Sequence, residues 1–89
     1  MDSRMESQNK IKDYRHMVGK RYRHFKGNTY RVMGFAVHSE TSEILVIYVS
    51  ENNISLEWAR PLDMFLSKVD KEKYPDVEQE YRFQEIVRG

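Results

Sequence analysis

Ile44-Leu45-Val46-Ile47-Tyr48-Val49 is the longest unbroken apolar block in the chain. It is shorter than an ordinary helix, and its β-branched residues favour a pleated backbone, so it reads as a central strand buried on both faces. After it, Glu51-Asn52-Asn53 is turn chemistry, since asparagine tolerates positive φ and bonds to its own backbone. Ile54 to Arg60 then alternates, with Ile54, Leu56 and Trp58 sharing one face. Before it, His38 to Ser42 is polar and loop-like. Thr29 to His38 is a strand rich in Tyr, Val and Phe, whose interior Gly34 marks a bulge or sharp bend. Lys20 to Phe25 alternates too, placing Tyr22 and His24 opposite Arg21, Arg23 and Phe25, and Gly27-Asn28 closes that strand with a turn.

Pro61 has no amide proton for a central strand but a φ suited to the first turn of a helix. Leu62 to Leu66 is therefore predicted as one helical turn, with Met64 and Phe65 plugging the core. Ser67 to Gln79 is charged, is broken by Tyr74-Pro75, and reads as a surface excursion with room for one more helical turn; Tyr81 to Val87 is a last strand. A four-strand meander, a helical turn and a closing strand is the order of a small five-stranded Src-homology-3-like barrel, which also removes exposed sheet edges. The alternative is an α+β roll in which residues 6 to 17 or 62 to 80 form a longer helix packed on an antiparallel sheet. Residues 1 to 10, polar and poor in aromatics, are expected as a flexible tail, and 11 to 89 as a single domain.

The 89 residues include no cysteine, which excludes disulfides and thiolate metal sites and fits a reducing cytoplasm. The polar N-terminus does not resemble a signal peptide, and no apolar run approaches a membrane span, so no membrane association is expected. Net charge is +1, but Lys10, Lys12, Arg15, Lys20, Arg21, Arg23, Lys26 and Arg31 are opposed locally only by Asp13. Acidic residues load the C-terminal third, so the ends either neutralise each other or leave a basic face for phosphates. Lys12 to Gly19 and Lys20 to Gly27 share Lys, Tyr, Arg, His and Gly at an eight-residue offset. That period is too short for a structural repeat, leaving coincidence or two similar strand-like pieces.

Tyr22-Arg23-His24-Phe25-Lys26-Gly27-Asn28 with Tyr30 and Val32, then His38-Ser39-Glu40-Thr41, Val46 and Tyr48, Trp58-Ala59-Arg60-Pro61 with Met64-Phe65, and Arg82-Phe83 form an ordered set of blocks. Over about residues 19 to 87 this set resembles the bacterial family called domain of unknown function 1653. The resemblance implies a small bacterial protein or domain and no particular activity. Two features depart from the pattern: the Lys12 to Gly19 extension and a long acidic insert between Val69 and Arg82.

The leading candidate site is a ligand-binding surface of Tyr22, His24, Tyr48, Trp58 and Arg60, with Tyr30, joined by His38 and Glu40 at one mouth of the barrel. Aromatic rings stack on bases or cage cations, and arginine reads phosphate or carboxylate in bidentate fashion. This suits a nucleotide, a nucleic acid or a peptide. Against it stands packing, with Trp58 as the central core residue and Arg60 paired with Glu40 or Glu57. A small-molecule enzyme using His38 and Glu40 is a second reading, but neighbours in sequence do not give a nucleophile and base their geometry, and a turn explains the same residues. A third is an adaptor or self-associating domain. A metal site from His16, His24, His38 and Glu40 lacks the spacing of any ligand motif, and no cofactor is implied.

Overall fold

A computed structural model describes residues 2–87 of the chain. The order is α1 (Ser3–Ile11), a 3-10 helix over Lys12–Met17, β1 (Arg21–His24), β2 (Thr29–Val37), β3 (Ile44–Ser50), β4 (Glu57–Pro61), α2 (Leu62–Phe65) and β5 (Phe83–Glu85). The fold is mainly β, with all five strands antiparallel in one sheet of order β4-β3-β2-β1-β5.

β3 sits inside the sheet as its sequence demands, but its two faces differ. Val46 and Tyr48 lie in the core, whereas on the other face Val49 is buried but Leu45 and Ile47 are only half-buried. Gly34 also has the expected role: the β2–β3 register shifts between Val32 and Gly34. The extra residue reverses the side-chain parity, so Tyr30 and Val32 before it and Phe35 after it all pack on the same core.

The expected barrel does not close. β4 and β5 are opposite edges of the sheet and do not pair with each other. The sheet curls instead: β3 and β5 are separated by two strands at about 4.8 Å per step, yet the rings of Tyr48 and Phe83 lie 5.5 Å apart. The Arg60 guanidinium on β4 also reaches to 5.5 Å from the Phe83 ring on β5. Side chains thus span a gap that backbone hydrogen bonds do not, because β5 is only three residues long and Glu57, Trp58 and Ala59 on β4 stay exposed.

Inside the curl, Phe65 on α2 is 1% exposed and stacks on Phe83 at 4.1 Å, with Tyr22 and Tyr48 edge-on at 5.3 and 5.6 Å. Pro61 starts α2, and Leu62 and Phe65, three apart, both turn inward while Met64 stays exposed. Trp58, the central core residue of the packing alternative to a binding role, is 48% exposed; Phe65 holds the central position because a helical turn can carry a ring into the curl from outside the sheet plane.

Residues 3 to 17, partly expected as a flexible tail, are helical, as the α+β alternative anticipated for 6 to 17. The Asp2 carboxylate caps the first turn by accepting from the Arg4 amide at 2.9 Å. The Ser7 hydroxyl ties α1 to the β2–β3 turn by donating to the Ser42 carbonyl at 2.5 Å, and Ile11 and Met17 are buried. The basic N-terminal half meets the acidic end at Lys20–Glu85 (3.9 Å). Arg21 and Arg31 instead share Glu51, at 2.8 and 3.7 Å. The Arg21 guanidinium holds the Glu51 carboxyl below the usual carboxylate range.

Candidate functional site

A cavity of about 450 Å³ opens between the β1–β2 turn, the inner face of the curled sheet and the segment from Ser67 to Arg82. That segment has little regular structure but is held firmly. Its ends meet at a Lys68↔Tyr81 bridge, flanked by Val69 N–H to Glu80 carbonyl at 2.8 Å and Arg82 N–H to Ser67 carbonyl at 2.9 Å. Val69 is buried, and the Lys71 ammonium donates to the carbonyls of Val77 and Gln79. The Gln79 side-chain amide crosses to the Arg23 carbonyl on β1 at 3.0 Å, docking the segment on the sheet.

The floor of the cavity is aromatic. Tyr30, Tyr48 and Phe83 meet edge to face, with centroids 5.3 to 5.9 Å apart. At the mouth, Phe25 and Tyr74 pack at 4.9 Å. These rings hold cations in place: Lys26 lies 5.7 Å and Lys73 5.6 Å from the Tyr74 centroid, and Arg60 sits over Phe83 while its Nε donates to the Tyr48 hydroxyl at 3.1 Å. Arg82 is fixed by its Nε donating to the Ser67 hydroxyl at 3.1 Å. Among the described residues, none of these four cations forms an ion pair. Glu40 and Glu57, the partners of Arg60 in the packing alternative, do not pair with it.

His24 lies at the centre of this field. Its ring stacks on Phe25 at 4.5 Å and meets Phe83 edge-on at 5.0 Å. Burial, reinforced by the positive charges of Arg60, Arg82 and Lys26, lowers its pKa to about 4, so it is neutral at physiological pH. Nδ1 accepts the Lys26 amide at 3.1 Å, which leaves the ring proton on Nε2 as a donor. Asp70, the one carboxylate lining the cavity among the described residues, accepts the amides of Glu72 and Lys73 at 3.0 and 3.4 Å through Oδ1.

Of the residues expected from sequence to form a site, the fold brings His24, Tyr48 and Arg60 together here, with Tyr30. Tyr22 lies beneath them in the core, its hydroxyl pushed up to about 12 by burial and by Glu85. Trp58, His38 and Glu40 do not line the cavity. His38 organises its own turn, Nδ1 accepting the amides of Glu40 and Thr41 at 3.1 and 3.2 Å. Among the described residues no three His, Cys, Asp or Glu side chains gather as a metal site. No described helix is long and apolar enough to cross a membrane.

Sequence reasoning missed Phe25, Lys26, Asn28, Asp70, Lys73, Tyr74, Arg82 and Phe83 as cavity residues. Alternation assigned Phe25 to the face opposite His24, but β1 ends at His24 and the turn brings the next ring back beside it. A signal for Tyr74 was present: an aromatic residue followed by proline inside a charged run.

Two comparisons agree on what the chain is similar to. A crystal structure of a protein of the DUF1653 family from Bordetella bronchiseptica superimposes with a TM-score of 0.66 and 26% identity, covering 89% of this chain and 95% of that one. No curated protein matches the chain. The family model described as "Protein of unknown function (DUF1653)" matches residues 20–85, from the residue before β1 to the end of β5, and the chain belongs to that family.

Proposed function

We propose that this domain is a non-catalytic binding module that takes an anionic ligand in the cavity beside His24. The observation that carries this reading is a set of four cationic side chains around one cavity, held by aromatic rings and hydroxyls rather than by carboxylates. A ring quadrupole positions a cation without cancelling its charge, so the cavity keeps a positive potential that an ion-paired surface would lose. The neutral imidazole adds an N–H donor. Reactive groups, by contrast, are scarce: among the described residues no serine, threonine or cysteine lines the cavity, and His24 is pulled far below the pKa useful to a general base at neutral pH.

Calorimetric titration of the full chain against nucleotides, short oligonucleotides and acidic peptides, at low and high salt, tests the reading. Binding that weakens with salt, and a loss of about 1.5 to 3 kcal/mol on Arg60→Ala, the usual value of a hydrogen bond to a charged group, are the expected results. An unchanged circular dichroism spectrum of the variant separates binding from folding. Affinity indifferent both to salt and to Arg60→Ala overturns the proposal.

A further inference from the structure

Building on that anion-binding reading, we infer that the cavity selects a compact phosphate monoester on a small hydroxylated or amine-bearing carrier, and discriminates against the internal phosphodiesters of a nucleic-acid strand. The arrangement of the charges is the reason. Arg60 comes from β4, Arg82 from the residue before β5, and Lys26 from the β1–β2 turn, yet all three surround one spot. Arg60 lies over the Phe83 ring, Phe83 meets the His24 ring at 5.0 Å, Arg82 is the chain neighbour of Phe83, and the Lys26 amide donates to His24 Nδ1. The positive field these residues impose on the imidazole is consistent with that convergence.

A single strand offers one negative charge per phosphate, spread along its length, and is matched by cations strung along a groove. A phosphate monoester concentrates about −1.5 to −2 charges and three acceptor oxygens at one point. Cations converging around a single imidazole suit the second pattern. The cavity volume of about 450 Å³ falls within the roughly 300 to 1,000 Å³ typical of small-molecule sites. Asp70 adds a requirement on the carrier. One of its oxygens is committed to backbone amides, and the other has no hydrogen-bond partner among the described residues. A carboxylate so placed repels a bare anion and accepts from hydroxyl or amino groups, so the ligand has an anionic end and a donor-bearing end.

The test is a chemical-shift titration of the full chain with adenosine 5′-monophosphate, glucose 6-phosphate, adenosine, inorganic phosphate, and an oligonucleotide lacking terminal phosphates. Expected are shifts at His24 and Lys26 with either phosphate monoester, at least tenfold tighter binding than with adenosine or the oligonucleotide, and weaker binding of inorganic phosphate. The two monoesters distinguish a nucleoside from a sugar carrier. Lys26→Gln, on an exposed side chain, is expected to weaken monoester binding about tenfold, whereas Arg15→Gln, on an exposed side chain of the 3-10 helix outside the cavity lining, leaves it unchanged. If the oligonucleotide binds as tightly as the monoesters, this inference fails while anion binding stands. If none of the anions moves His24 or Lys26, both fail.

Discussion

Lys12 to Gly19 and Lys20 to Gly27 carry the same Lys-x-Tyr-Arg-His pattern and the same closing glycine, and they fold differently. The first is a 3-10 helix; the second is β1. In the first copy Tyr14 packs half-buried against the core while Arg15 and His16 face solvent. In the second, Tyr22 is in the core and His24 in the cavity. The difference lies in the neighbours. β1 has β2 on one side and β5 on the other to take its backbone groups, whereas the first copy continues a helix whose backbone is satisfied locally, as in the Val18 amide donating to the Arg15 carbonyl at 3.1 Å, and reaches β2 only at its closing Gly19, whose amide donates to the Val32 carbonyl at 2.8 Å. The shared local pattern therefore specifies a tyrosine and a histidine at fixed spacing, and non-local strands decide where they point.

The largest expected effect that breaks the comparison is at the tyrosines. Tyr22→Ala removes a ring packed on Phe65 and is expected to destabilise by about 3 to 5 kcal/mol, the usual range for aromatic truncation in a core. Tyr14→Ala, on a half-buried ring, is expected to cost about 1 to 2 kcal/mol, within the ordinary range for single substitutions. Urea unfolding midpoints measure both, and equal losses would mean the two copies are equally embedded.

The glycines sharpen the comparison from the other side, because there the copies agree. Gly19 has φ 85° and Gly27 φ 110°, and an added Cβ at either meets open space. Alanine at each is therefore expected to cost about 1 to 2 kcal/mol through backbone strain alone, read from the same unfolding curves. A loss at only one of them would show that the shared glycine plays unlike parts.

At neutral pH the smallest effect belongs to the ionisation of His24, which shows only as a pH dependence in acid. Burial and the neighbouring cations push the His24 imidazole down to about 4 in the folded chain, against about 6.5 for an unperturbed histidine. Above pH 6.5 it is neutral in both states and contributes no pH dependence. As pH falls from 6.5 toward 4 the unfolded chain gains a proton that the folded chain refuses, so stability declines across that window and levels off below it. His24→Gln is expected to flatten that slope, whereas His16→Gln leaves it in place. A slope untouched by His24→Gln would mean another group is responsible.

Much of the sheet was legible because its signals are local. A six-residue branched apolar block, a glycine inside a strand and a proline before an apolar turn each report their own backbone preference, and β3, the β2 bulge and α2 follow from them. The helix over residues 3 to 17 was less legible, because it is polar nearly all round and its buried Ile11 and Met17 do not form a periodic stripe. Trp58 misled for a related reason: size suggests burial, but β4 is an edge strand and the curl is already filled by Phe65.

The candidate site divides the same way. His24, Tyr48 and Arg60 could be singled out from residue type and position along predicted strands, since aromatic and cationic side chains carry their chemistry wherever they land. That they face one another, and that Lys73, Tyr74 and Arg82 join them while His38, Glu40 and Trp58 do not, depended on the curl of the sheet and on a segment docked through Gln79 and a two-residue bridge. Sequence alone determined which residues prefer strand, turn or helix and which bear charge. Tertiary structure decided which of those charges share a cavity, because that depends on contacts between residues distant in the chain, whose pairing no local preference encodes.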